Sequence, residues 1–436
     1  MGLRDKQILD LALPSILSNI TVPLLGLVDV AIVGHMGSAN YIGAIAVGGM
    51  AFNIIYWIFA FLRMGTSGLT SQALGRRDFG EVMHTLIRAM VIGMSIAAIL
   101  LLLQYPLREI IYRLIGPEHS VYALATTYFN ICIWGAPATL GLYSLTGWFI
   151  GMQNTKTPMV IAIAQNIINI LASVLLVFGL GMKIEGVALG TVTTQYAGLL
   201  IGVWIWYRHY LRLQKYVNKE EVWKQHEIVR FFNVNKNIFL RTFCLVAVML
   251  YFTSAGARQG ELILAANTIL MELYLLVSYV MDGFAFAGEA LGGRFIGAQH
   301  RTAFDELLRR LAFWSILVTV AFTLVYFFLG KGILHLLTDE QEVIQTATTY
   351  LYGAALVALT GAGAFILDGI FIGATATHDM LLSVFLSTLL FFILFFLLRD
   401  VMGNHGLWLA YNAYLASRGL VLYFRLGELK KQSFQT

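Results

Sequence analysis

Five long stretches of this chain contain no charged residue, and they constrain the fold more than any other feature. The stretches are 89–107, 157–182, 186–207, 311–330 and 380–398. Each is close to or longer than the roughly 20 apolar residues that an α-helix needs to cross the hydrocarbon core of a bilayer. The sequence therefore predicts a protein whose helices span a membrane.

Composition supports the same conclusion for the rest of the chain. Of the 436 residues, 58% are hydrophobic and 12% are charged, whereas about a quarter of the residues in a soluble domain are charged. This balance excludes a soluble enzyme, a disordered chain and a nucleic-acid-binding domain. Seven less uniform apolar regions lie between the uncharged stretches, at 8–34, 42–74, 121–151, 237–256, 262–297, 343–373 and 405–424. The predicted fold class is an all-α membrane protein with twelve transmembrane helices.

The positions of the basic residues predict the orientation of the chain. With the N-terminus inside, nineteen of the 29 Lys and Arg residues fall in cytoplasmic segments, six fall outside and the others lie within spans. Loops on the cytoplasmic side of membrane proteins carry such an excess of Lys and Arg. We therefore expect a multi-pass protein of the bacterial inner (cytoplasmic) membrane, surrounded by lipid bilayer, with both termini in the cytoplasm.

Short motifs recur at one fixed spacing and reveal an internal repeat. The tripeptide at 126–128 recurs at 348–350, and the tripeptide at 149–151 recurs at 371–373, both at an offset of 222 residues. An even number of helices in each half makes this a parallel repeat, related by an axis along the membrane normal. The predicted domains are an N-lobe with helices 1–6 (1–214), a cytoplasmic linker (215–235) and a C-lobe with helices 7–12 (236–436).

The segment between the halves is the most charged part of the chain. Seven basic and three acidic residues lie between 208 and 236. We interpret the segment as a solvated connector. The alternative is an amphipathic helix that lies on the anionic inner leaflet.

One acidic residue lies within the first predicted span. Asp29 follows Pro14 and Pro23 in the same apolar stretch. An ionisable group in a span costs about 3 kcal/mol on insertion scales, so it is a functional candidate. Each proline removes a backbone hydrogen bond and can bend the helix, which could couple protonation of Asp29 to helix shape. The alternative is a position near the outer membrane interface, because the span ends close to Gly34.

Two polar stripes follow in the same half, each on one helical face. They are Asn166, Asn169 and Ser173 in the fifth span and Thr191, Thr194 and Gln195 in the sixth. Polar stripes often join helices to one another, and this is the alternative for each stripe alone. Together with Asp29, the two stripes predict a polar pocket in the first half.

The second half carries its own intramembrane acids. Asp282 and Glu289 share a face of the eighth span, and Asp368 lies in the tenth. Arg63 and Arg241 are candidate ion-pair partners, and a structural salt bridge is the alternative for Asp282 or Glu289. The repeat aligns these acids with non-acidic residues, so we expect the two halves to have different roles.

Other function classes have weaker support. Cys132 and Cys244 form no disulfide or metal pattern, and the nine His residues are scattered, so we expect no enzyme, no metal and no cofactor. A lipid-linked saccharide flippase is an alternative, but it would need several Arg or Lys in its cavity, where this chain has few. An ion channel is disfavoured because channels tend to be oligomers of smaller pore units.

The chain resembles the multidrug and toxic compound extrusion (MATE) family, and most of all its branch named for DNA-damage-inducible protein F. The resemblance rests on NITVPLLGLVDVAIVGH at 19–35, LRMGTSGLTSQ at 62–72, MDGFAFAGE at 281–289 and LDGIFIGAT at 367–375. It implies a twelve-helix antiporter with two lobes around a V-shaped central cavity. Such a protein would export amphipathic, often cationic compounds in exchange for H⁺ or Na⁺.

The resemblance also assigns roles to residues. The first-helix acid, fifth-helix Asn and sixth-helix Thr of the family correspond to Asp29, Asn169 and Thr191. The family often has a second acid where this chain has Ser173. Its tenth-helix acid corresponds to Asp368.

Relatives that bind Na⁺ near the tenth-helix acid also use a seventh-helix Glu. Here the seventh span has no acid and carries Arg241. This departure and Ser173 favour H⁺ over Na⁺ as the coupling ion.

We hypothesise that Asp29 binds a proton and a cationic substrate in turn, with Asn169, Thr191 and Ser173 beside it. The substrate cavity would draw on a wider set of side chains, namely Asn166, Thr194, Gln195, Asp282, Glu289, Asp368, Arg241 and Tyr143. The expected partners are small amphipathic molecules and lipid, with no nucleic acid. We expect a monomer.

Overall fold

The computed structural model describes residues 2–34, 39–117 and 119–434, and in these ranges the chain is helical with no strand. The predicted all-α class is therefore confirmed. The first-helix motif ends at His35, which lies outside the described residues.

The described part of the first half contains nine α-helices. They are α1 (Leu3–Gly34), α2 (Ala39–Ile58), α3 (Phe61–Gly75), α4 (Phe79–Leu102), α5 (Gln104–Ile115), α6 (His119–Cys132), α7 (Ala136–Gly151), α8 (Lys156–Val174) and α9 (Ile184–Tyr210). The predicted span 42–74 is thus two helices, α2 and α3. The span 121–151 is also two, joined by a 3₁₀ turn at Ile133–Gly135. Pro137 explains this second break, because proline has no N–H for the helical ladder.

The linker and the second half contain the remaining helices. A 3₁₀ helix (Leu211–Tyr216) precedes α10 (Lys219–Val222), α11 (Gln225–Ala257), α12 (Glu261–Gly297), α13 (Arg301–Leu337), α14 (Gln341–Gly373), α15 (Thr377–Met402) and α16 (Asn404–Ser433). In the linker, helical structure before α11 is therefore limited to two short segments.

Among the described residues, nine helical segments are long and apolar enough to cross a membrane. They coincide with nine of the twelve predicted spans. The other three predicted spans are also helical: 8–34 lies in the continuous helix α1, 121–151 contains the 3₁₀ turn, and 405–424 lies in α16 with more polar residues. Every predicted span therefore corresponds to helix.

The helices divide into two compact units. The first unit is Leu17–Phe232, and the second is Met1–Ile16 with Asn233–Thr436. The beginning of α1 packs in the second unit, where the Trp314 indole N–H donates to Asp5 at 3.2 Å. A Cβ on Gly283 of α12 would lie 2.9 Å from the Ala12 carbonyl oxygen. The lobe boundaries at residues 214 and 236 stay a prediction.

One close helix crossing that depends on glycine recurs in both units. In the first unit, a Cβ on Gly147 of α7 would overlap the carbonyl oxygen of Arg63 on α3. In the second unit, a Cβ on Gly369 of α14 would overlap the carbonyl oxygen of Ala285 on α12. Gly147 lies 222 positions before Gly369, and Arg63 lies 222 positions before Ala285. The sequence repeat is therefore also a repeat of helix contacts.

Four turns repeat in the same register. Arg77, Gln153, Gln299 and Thr375 have φ values of 60°, 61°, 57° and 55°. Each donates its N–H to the carbonyl three residues back, and the next residue donates to the carbonyl five residues back. This is the pattern of a helix end capped by one left-handed residue. Arg77 pairs with Gln299, and Gln153 with Thr375, at the offset of 222.

The glycine crossing predicts a stability difference between two Gly→Ala substitutions. Gly369→Ala should lower the free energy of unfolding by about 1–3 kcal/mol, because the added methyl group must displace a backbone carbonyl. Gly49→Ala on α2 is the matched control, since nothing lies within 4 Å of its Cβ position. Thermal unfolding of the purified variants in detergent measures the difference. Equal melting temperatures for the two variants would contradict the crossing.

Candidate functional site

Asp29 lies buried in α1, with 8% of its surface exposed. Within the described ranges, its Oδ1 atom has no hydrogen-bond partner and its carboxyl group takes part in no ion pair. A carboxylate in apolar surroundings is costly unless it is paired. This carboxyl group is therefore suited to bind a proton or a cation.

Three other helices bring polar groups to Asp29. The side chain of Asn169, on α8, lies within hydrogen-bonding reach of the Asp29 carboxyl. Tyr128 and Cys132, on α6, are close enough to interact with it electrostatically. Thr191, on α9, is within hydrogen-bonding reach of Tyr128. The structure thus brings Asp29, Asn169 and Thr191 into one neighbourhood.

Among the members of this neighbourhood that sequence reasoning missed is Tyr128. Its ring occupies space that Gly48 leaves open on α2, where a Cβ would overlap the ring. The residue had appeared only as part of the repeated tripeptide at 126–128. A polar aromatic residue in a repeated motif was the available signal.

Close packing of α8 against α9 positions Ser173. Its side chain is fully buried and faces Gly190, where a Cβ would lie 2.5 Å from Ser173 Oγ. In the part of the chain that the structure describes, Ser173 Oγ and Asn169 Oδ1 have no hydrogen-bond partner. Three buried oxygen atoms, counting Asp29 Oδ1, are therefore available on α1 and α8.

The outer members of the polar stripes bond mainly to their own helices. Thr194 donates to the Gly190 carbonyl at 2.8 Å, and Asn166 donates to the Ala162 carbonyl at 2.9 Å. Gln165 instead forms a hydrogen bond between α8 and α9: its side-chain amide donates to the Thr194 carbonyl oxygen at 3.4 Å. Thr191 likewise donates to its own helix, at 3.1 Å.

Gln195 lies on α9, and Tyr143 lies on α7. The Gln195 Oε1 atom rests against Gly135, in the space that a Cβ would fill. Tyr143 is half-buried, packs against the apolar core of the first unit, and is near enough to Arg63 to interact with it electrostatically. Both side chains thus belong to the interior of the first unit.

The second unit holds a buried cluster of charges around Asp368. Arg241 on α11 and Arg418 on α16 both donate to Asp368 Oδ2 on α14, the latter at 2.6 Å. Arg241 is 5% exposed, Arg418 is 6% exposed and Asp368 is 7% exposed. The Arg418 guanidinium also lies 5.5 Å from the ring centre of Tyr414. Of the predicted acids, Asp368 is therefore a partner of Arg241, and Arg418 is a second partner that sequence reasoning did not assign.

The other two acids of the second unit lie on α12. Asp282 is half-buried and close to Tyr274 and Tyr279, while Glu289 is 1% exposed. The Glu289 backbone carbonyl packs against Gly373, which repeats the packing of Ser67 against Gly151 in the first unit. Glu289 therefore lies at the crossing of α12 and α14, one helical turn after Ala285.

No group of three or more His, Cys, Asp or Glu side chains suited to a metal ion occurs within residues 2–34, 39–117 and 119–434. In the first unit, the Asp29 carboxyl group has neutral polar neighbours. In the second, the Asp368 carboxyl group is paired with two guanidinium groups.

Comparison with known proteins identifies the family. The sequence profile of the MatE family matches residues 14–175 and 238–397. DNA damage-inducible protein F of Escherichia coli (strain K12) is 37% identical over 96% of this chain and 91% of its own length. The probable multidrug resistance protein NorM of Thermotoga maritima is 22% identical over 78% of this chain and 74% of its own length.

Solved structures show the same fold. The bent form of the Vibrio cholerae MATE transporter VcmN superposes with a TM-score of 0.89 at 17% identity, covering 99% of both chains. The two ranges that match the profile lie in the two halves of the repeat and contain the positions of Asp29, Asn169 and Asp368. This chain therefore belongs to the MatE family of multi-pass membrane transporters, the multidrug and toxic compound extrusion proteins.

Proposed function

We propose that this chain exports amphipathic cationic compounds in exchange for protons, and that Asp29 carries the exchange. The observation that carries the proposal is a buried carboxyl group with no ion pair among the described residues. Relatives named as multidrug resistance proteins support the substrate class. Exchange of this kind needs a single group that cannot hold both partners at once.

Charge neutralisation explains how Asp29 would couple the two flows. Burying an unpaired carboxylate costs several kcal/mol, so the group favours either a bound proton or a nearby cation. Asn169 and Tyr128 supply neutral polar contacts and no competing charge. A proton and a substrate cation would therefore displace each other.

Asp368 is unsuited to the same role. Two guanidinium groups already neutralise it, so it requires neither a proton nor a substrate cation. We propose that Asp368 holds α11, α14 and α16 together through its ion pairs and does not carry the coupling ion.

Sodium is the second candidate for the coupling ion. The observation that favours Na⁺ is the set of buried oxygen atoms without partners, on Asp29, Asn169 and Ser173, in the described part of the site. Hard cations prefer such oxygen ligands. The proton remains the first candidate because Asp29 is the one acid among the described residues of its neighbourhood, and position 173 carries a serine.

The ion gradient and the membrane potential limit the substrate concentration ratio that the exchange can maintain. One pH unit supplies about 1.4 kcal/mol per proton, which is a tenfold concentration ratio. A membrane potential of 100 mV supplies about 2.3 kcal/mol per net charge moved. Exchange of one proton for one monovalent cation moves no net charge, so only the pH gradient would drive it.

Asp29→Asn should reduce export of a monovalent cationic dye by more than about tenfold, because the amide can neither exchange a proton nor neutralise a cation. Dye efflux from proteoliposomes with matched protein content is the measurement. Asp10→Asn, an exposed acid on the same helix, is the control and should transport normally. Wild-type export by a well-folded Asp29→Asn variant would refute the proposal.

Export of the same dye should follow an imposed pH gradient and be unaffected when valinomycin and K⁺ collapse the membrane potential, since the exchange is electroneutral. The measurement is the initial rate in proteoliposomes under each gradient. Export that follows a Na⁺ gradient at equal pH would assign the coupling to sodium.

The charge cluster predicts an order of stabilities. Asp368→Asn should lower the free energy of unfolding by about 3–5 kcal/mol, because it leaves two buried guanidinium groups without a counter-charge. Arg418→Met should cost less, since the pair between Arg241 and Asp368 remains. Thermal unfolding in detergent measures both, and the double variant should lose less than the sum of the two. An Arg418→Met variant less stable than Asp368→Asn would contradict this account of the cluster.

A further inference from the structure

A groove of about 560 Å³ lies in the first unit between α4, α9 and the linker. One wall follows α4 from Met83 to Val91, and the opposite wall includes Trp206 of α9. Gln214 of the 3₁₀ helix and Lys219 of the linker also line the groove and give it a polar end. The transport site around Asp29 shares none of these residues.

The groove has an apolar body and a polar end. Met83 and Val91 are eight residues apart, which corresponds to about 12 Å along the helix axis. Apolar side chains line this length, whereas an ammonium group and an amide stand at the linker end. A ligand that fits lengthwise therefore has a hydrocarbon chain and a polar head. With the predicted orientation of the chain, the polar end faces the cytoplasm.

The charge at the polar end selects an anionic head. Of the described residues that line the groove, Lys219 is the one that carries a charge, and Lys215 is not among them. Trp206 also lines the groove, and its indole N–H is buried and has no acceptor among the described residues. An ammonium group and an N–H donor together match the oxygen atoms of a phosphate ester.

The linker wall is held in place by bonds to α4. Arg88, 2% exposed, donates to the carbonyl oxygens of Val222 and Glu221 at 2.6 and 3.0 Å. The Asn218 N–H donates to His84 Nε2 at 3.1 Å. A wall that is already ordered lowers the entropic cost of binding.

We propose that this groove binds one anionic phospholipid of the inner leaflet. One acyl chain lies along α4 and α9, and the phosphate lies at Lys219 and Trp206. The linker is then a lipid-binding element as well as a connection between the two halves.

The test uses the purified full chain and native mass spectrometry with phosphatidylglycerol and phosphatidylcholine of identical acyl chains. The wild-type protein should retain one phosphatidylglycerol saturably and prefer it over phosphatidylcholine. Val91→Trp, which fills the apolar body, and Lys219→Gln, which removes the head contact, should each weaken binding by about tenfold, as the loss of one charge-assisted or well-packed contact does.

Two matched controls accompany these variants. Ile99→Trp adds the same bulk at an exposed position of α4 outside the groove, and Lys215→Gln removes the same charge four residues from Lys219. Both should bind phosphatidylglycerol like the wild type. Equal weakening by the two Lys variants, equal retention of the two lipids, or no retained lipid would overturn the proposal.

Discussion

Each unit depends on a crossing at which a glycine of one helix lies directly against a backbone carbonyl of another. In a membrane the hydrophobic effect does not drive helices together, so association depends on close van der Waals contact and interhelical hydrogen bonds. Gly147 and Gly369 allow that contact between α7 and α3 and between α14 and α12. Asp368 is adjacent to Gly369 in sequence, so the crossing also determines where its carboxyl group lies.

The two units share this scaffold and differ in charge. In the first, Asp29 has the neutral neighbours Asn169 and Tyr128. In the second, Asp368 is bound by two guanidinium groups. A buried acid with neutral neighbours can change its charge state at low cost to the surrounding structure, whereas an acid with two cations cannot. The repeat thus supplies two similar helix arrangements. The first is suited to ion exchange at Asp29, and the second is stabilised by the ion pairs of Asp368.

Much of the fold follows from the sequence because the bilayer requires long apolar helices, and these can be counted. The offset of 222 residues could also be predicted, because tripeptides and the glycines of the crossings recur at it. The break between α2 and α3 was not predicted, because no proline or other sequence signal marks it.

The site could be predicted only in part. Helical periodicity placed Asn169 and Ser173 on one face and gave a reason to connect them with Asp29. It could not show that Tyr128 of α6 faces the same neighbourhood, because that depends on the rotation of a helix packed through Gly48. Arg418 was missed as a partner of Asp368 for the same reason. The attachment of the first residues of α1 to the second unit depends on contacts such as Trp314 with Asp5, which no local pattern reports.

The attachment of the linker to α4 has a consequence for how its sequence can diverge. Arg88 bonds to two main-chain carbonyl groups, and His84 accepts a main-chain N–H. Main-chain groups are common to nearly all amino acids, so the linker side chains at 221 and 222 can change without loss of these bonds. At position 218 the contact rejects one residue type, proline, which has no N–H. The side chains that form these hydrogen bonds are therefore encoded in α4 and not in the linker.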